Sequence, residues 1–276
     1  MGGAAGDSGG DPAGPRAGLL LERAFLLTFV AHGLAMLAMA LLLLPGIPGG
    51  GVRDDAARIA YIAAHPWLWR LGWLPWQLTA LSDLFLAYAL LRTPWVPRLP
   101  ARFTALVTVA AVIPDQAGQL AWITRGIALA RAGDPARYLA FEARIFGWIA
   151  AWAAILYAIG AIGWSWSLIG ARTWRPWLTP YSIALWGLFL LLGLGPLLPA
   201  AWRPAPEIVG AGNALGFLLM LGWFAAVTEL VLRRRRPDEA HGRYAPWHHP
   251  RPPLGRLLDP LASSRLVRTL CEALPD

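Results

Sequence analysis

The spacing of charges constrains this chain more than any other feature. Six mostly apolar stretches, each about the 20 residues needed to cross hydrocarbon, are bounded by segments that carry arginine. No charged residue lies between Arg23 and Arg53. Only Asp83 interrupts the interval from Arg70 to Arg92, and only Asp115 the interval from Arg102 to Arg125. Two more stretches lie between Arg144 and Arg172 and between Arg175 and Arg203, and a last one runs from Val209 to Leu232. The expected spans are 24–44, 71–91, 103–124, 145–169, 181–200 and 209–232. The fold class that follows is all-α: a polytopic integral membrane protein with a bundle of six transmembrane helices, short interfacial helices and a basic C-terminal tail.

Composition points the same way. Over the 276 residues, 57% are hydrophobic and 14% charged, against about 45–50% and about 25% in soluble domains. A soluble enzyme and a disordered chain are excluded on those grounds. The net charge of +8 would suggest nucleic acid in a soluble protein, but here the bases sit between apolar runs and in the tail. Anionic lipid headgroups are the expected partners and nucleic acid is not. All 24 basic residues are Arg, in an Ala-, Gly- and Pro-rich chain, which reads as a GC-rich genome and a bacterial inner membrane. The single cysteine, Cys271, cannot form an internal disulfide, and no Cys/His spacing suits zinc, so no metal site is expected.

Three regions are expected. Residues 1–17 form a disordered N-terminal segment, read as uncleaved because the following apolar run is long for a signal peptide. Residues 18–232 form the membrane domain. Residues 233–276 form a cytosolic tail, opening on Arg233, Arg234, Arg235 and Arg236 as a membrane-surface cluster. Leu266 and Leu270, with Arg265 and Arg268 beside them, suggest a short basic amphipathic helix in that tail. With both termini cytoplasmic, 16 of the 24 arginines fall on the inner side, as the positive-inside rule requires. Most of the 16 tryptophans are then expected to form boundary belts. Two outer segments, beginning Asp55-Ala56-Ala57-Arg58 and Asp134-Pro135-Ala136-Arg137, resemble each other. Each suits a short helix capped by Asp, and the likeness reads either as a repeat or as coincidence. Glu142 and Arg144 read as boundary charges that snorkel to the surface.

Ionisable groups at mid-membrane are costly and therefore candidates for function. They are His32 in span one, Asp83 in span two and Asp115 in span three. Gln116 follows Asp115, and Gln119 shares its helical face one turn on. Pro114 deprives the Ala110 carbonyl of its helical partner, which makes a polar notch at this depth. Convergence of His32, Asp83, Asp115, Gln116 and Gln119 would give a ligand-binding or proton-relay site. The leading functional expectation is binding or translocation of a small, largely apolar molecule, proton-linked through these residues. One alternative is a membrane-embedded enzyme acting on a lipid or isoprenoid, with Asp115 and His32 as acid and base. Another is a non-catalytic scaffold or assembly subunit. The residues specify no cofactor and no oligomeric state. No phosphate-binding loop, dinucleotide glycine pattern or hydrolase elbow occurs.

Overall fold

The computed structural model describes residues 13–50, 52 and 54–235, and every regular element among them is helical. Arg236 and the expected tail helix lie outside the described residues, as does most of the N-terminal segment; Arg233–Arg235 continue the last helix. The order is α1 (Ala13–Ala38), α2 (Asp55–Ala64), α3 (Pro66–Arg92), α4 (Arg98–Ala121), α5 (Ile127–Arg131), α6 (Pro135–Phe146), α7 (Ala154–Gly170), α8 (Leu178–Leu194) and α9 (Pro206–Arg235). Six helical stretches are long and apolar enough to cross a membrane, and each contains one of the expected spans or nearly all of it.

The long helices form a closed ring. α1 packs on α3, α3 on α4, α4 on α7, α7 on α8 and α8 on α9, and α9 returns against α1. Small residues set the α4–α7 spacing. A Cβ at Gly163 would fall onto Thr104 Oγ1, and one at Gly118 would lie 2.5 Å from Ile149 Cγ1. The outside of the ring carries unburied apolar side chains, with Leu41, Ile113 and Leu191 each about two-thirds exposed.

Two of the stretches are much longer than a bilayer needs. Arg98–Arg131 and Pro135–Gly170 hold 34 and 36 residues, which at about 1.5 Å per residue is about 51 and 54 Å. The sequence places an interfacial helix ahead of span four, but α6 and α7 are one continuous helix. A wide π turn over Gly147–Ala153 joins them, and another over Trp122–Gly126 joins α4 to α5. A third, Met39–Leu43, ends the first span. All three lie at the same end of the bundle. There α2, α5 and α6 meet and form a cap.

Local chemistry explains the cap helices. Asp54, rather than Asp55, caps α2, accepting from the backbone N–H of Ala56 and Ala57. Asp134 caps α6, accepting from Arg137 N, with Pro135 in the first turn, where its missing N–H costs nothing.

The interior divides into two apolar cores. One fills the ring with Phe25, Leu86, Leu90, Trp164, Trp186 and Trp223 among its members. The other lies under the cap, with Ile62, Trp69, Trp73, Trp122, Tyr138 and Ile145. The structure departs from the expected tryptophan belts. Among the described residues seven tryptophans are buried; Trp186 and Trp223 lie deep in their spans, but Trp69, Trp73, Trp122, Trp164 and Trp166, which the sequence places near span ends, pack rather than anchor. Trp122 lies with its ring 5.1 Å from Trp73, 5.5 Å from Trp69 and 5.3 Å from Phe146. Five of the described tryptophans are exposed, and four of these, Trp67, Trp148, Trp177 and Trp202, lie near span ends as belt residues would.

Candidate functional site

Two buried clusters of charge interrupt these cores. The outer one sits under the cap. Arg58 is 2% exposed and Glu142 4%. Arg58 Nη1 donates to Glu142 Oε1 at 3.1 Å and Nη2 to Oε2 at 2.9 Å, a bidentate pair between α2 and α6. The remaining bonds go to Asp55 Oδ1, from Nε at 3.1 Å and Nη2 at 2.6 Å, and to the Gly46 carbonyl at 3.0 Å. All five guanidinium donors are thereby used. Burial disfavours the Arg58 charge, yet the hydrogen bonds and charges of Glu142 and Asp55 outweigh it and hold the guanidinium above its ordinary range. Glu142 is thus not a snorkelling boundary charge; the cap covers it and supplies its partner. Arg144, by contrast, is exposed.

The inner cluster sits where the two cores meet. Along α3, Trp69 and Trp73 belong to the cap core and Leu86 and Leu90 to the ring core, with Asp83 between. Along α4, Ala101 belongs to the ring core and Trp122 to the cap core, with Asp115 between. The helical period places Trp69, Trp73, Trp76, Ala80 and Asp83 on one face of α3, and Thr104, Thr108, Ala111, Asp115, Gln119 and Trp122 on one face of α4. Asp83 is 4% exposed and Asp115 6%.

Asp115 is fully engaged. Its Oδ1 accepts from Gln119 Nε2 at 2.8 Å; its Oδ2 accepts from Gln116 Nε2 at 3.3 Å and from Tyr157 Oη at 3.1 Å. The first bond is the i, i+4 pairing that the sequence places on one face. Tyr157 comes from α7 and was not singled out in the sequence, where it is one aromatic in an apolar run. Asp83 is the opposite case. Its Oδ1 is buried without a hydrogen-bond partner among the described residues, as is Gln119 Oε1. Asp83 lies within electrostatic reach of both Asp115 and Tyr157. No ion pair among the described residues includes either carboxylate.

His32 is buried on α1, but its bonds run elsewhere. Nδ1 donates to the Thr28 carbonyl at 2.8 Å, and the ring packs 5.1 Å from that of Phe224 on α9. No described hydrogen bond joins it to Asp83, Asp115 or the glutamines. Thr28 Oγ1 donates to the carbonyl of Ser82, the residue before Asp83, and this ties α1 to α3 at the depth of the site. Beside that tie, an apolar groove of about 180 Å³ opens on the outer surface between the two helices. Leu27, Val30, Leu34, Leu78, Leu81 and Ser82 line it.

No group of three or more His, Cys, Asp or Glu suited to a metal ion occurs among the described residues. The chain matches no known family model, no characterised protein and no solved structure.

Proposed function

We propose that the chain is a multi-pass membrane protein that binds or translocates a small, largely apolar molecule, with proton linkage through the inner carboxylate pair. One observation carries this reading. Two carboxyl groups share an apolar interior and form no ion pair among the described residues, so a charge on them would have to be met by a proton or by a hydrogen-bond donor on a ligand. The apolar groove between α1 and α3 would suit an apolar body; Ser82, the chain neighbour of Asp83, lines it, and neither carboxylate does. Six apolar helices and an exposed belt of leucine and isoleucine support insertion in a membrane. The arginine bias supports a cell-membrane location with cytoplasmic termini, which puts the cap outside.

The test is purification in native lipid followed by mass spectrometry of the small molecules retained. An apolar compound enriched with the wild type and depleted with Asp83→Asn or Asp115→Asn is the expected result. Flux of that compound into proteoliposomes should then respond to a pH gradient in the wild type and not in either variant. If wild type and both variants retain the same molecules in the same amounts, the reading is overturned.

A further inference from the structure

The two carboxylates of the pair are not equivalent, and their partners say how the roles divide. Three donors converge on Asp115, two on Oδ2 and one on Oδ1, so both oxygens serve as acceptors. Such a cradle favours the ionised form, which only accepts. Asp83 has no such cradle. Among the described residues its Oδ1 is buried with nothing to accept from, and Asp115 acts on it electrostatically.

Two carboxylates near each other in an apolar interior do not both stay ionised; they share a proton, and it resides on the member with fewer donors. Asp83 interacts electrostatically with Asp115 of α4 and Tyr157 of α7, and His32, the ionisable group midway along α1, has its ring engaged with Thr28 and Phe224. None of these supplies a positive charge to Asp83.

We propose that Asp83 is the exchangeable proton site of the pair and that Asp115, held by Gln116, Gln119 and Tyr157, is its fixed acceptor. The proton on Asp83 is replaced by another from water, or by a hydrogen-bond donor on a ligand, so that Asp83 is never left ionised beside an ionised Asp115. The assignment rests on the reading of this pair as the functional site, and it deepens that reading by giving the two acids different tasks. It also reverses the emphasis of the sequence, where Pro114 and the glutamines draw attention to Asp115.

Infrared difference spectroscopy of the purified protein in lipid tests this without any ligand. A protonated buried carboxyl gives a C=O stretch apart from the amide bands, and it shifts in deuterated water. At neutral pH the wild type should show that band, Asp115→Asn should keep it, and Asp83→Asn should lose it. If Asp83→Asn does not fold, the glutamate variants carry the same assignment: the wild-type band should move in frequency in Asp83→Glu and stay in place in Asp115→Glu. A band that persists in Asp83→Asn and vanishes in Asp115→Asn would overturn it. So would a band that appears in the wild type only when sodium is omitted, since an alkali cation would then hold the site. Because the band reports the proton alone, it survives even if no transported compound is found, and failure of one proposal leaves the other standing.

Discussion

The protein buries two sets of charge, one under the cap and one at mid-bundle, and they are built on opposite plans. The outer set contains its own cation. Arg58 spends all five donors on Glu142, Asp55 and a carbonyl, and nothing is missing. The inner set contains two acids and three neutral donors, all of them aimed at one acid. The outer arrangement is complete as folded, so its role is to join α2 to α6. The inner one leaves Asp83 Oδ1 without a partner among the described residues, and in the proposed function a proton or a ligand supplies it. Burial alone therefore does not distinguish the two sets; whether a countercharge is present among the described residues does.

The largest expected effect lies in the complete set. Arg58→Met leaves Glu142 buried without its partner and should cost about 3 kcal/mol or more of stability, read as a lowered midpoint of thermal unfolding in nanodiscs. Proteolysis should also reach the cap first in that variant. A second variant sharpens the point. Arg58→Met/Glu142→Leu removes both charges together and should regain most of that loss, since well-packed apolar groups often replace a buried pair at little cost. Failure to regain it would mean that the pair does more than hold the cap. A smaller effect belongs to Tyr157→Phe. It removes one of three donors from Asp115 and should lower stability by about 1 kcal/mol. In the infrared experiment it should leave the carboxyl band in place, because two donors remain on Asp115.

Much of this architecture is legible in the sequence, for a definite reason. Hydrocarbon excludes charge, so the arginines mark span ends and the helices fall where the charge gaps are. Asp115 and Gln119 sit at i, i+4, and helical geometry alone brings them together. What the sequence conceals is long-range pairing. Arg58 and Glu142 are 84 positions apart on different helices, and each alone looks like a boundary charge. The same concealment hides the length of the fourth span. Glu142 and Arg144 suggest that the apolar helix begins at Ile145, whereas the helix starts at Pro135 and the cap shelters Glu142. Tryptophan misleads in a related way. A ring that suits the headgroup boundary also suits a packed core, and composition cannot tell which neighbours it will meet. Tyr157 is recognisable only once α7 is laid against α4.

The comparison comes down to one pair of unfolding curves, Asp83→Asn beside Arg58→Met, measured in the same lipid at neutral pH. If the inner acid is a site that the fold leaves incomplete, Asp83→Asn should unfold at the wild-type midpoint or above it while Arg58→Met falls far below. A loss in Asp83→Asn as large as that in Arg58→Met would contradict the account. It would show that Asp83 is a structural member of the bundle, already provided with its partner.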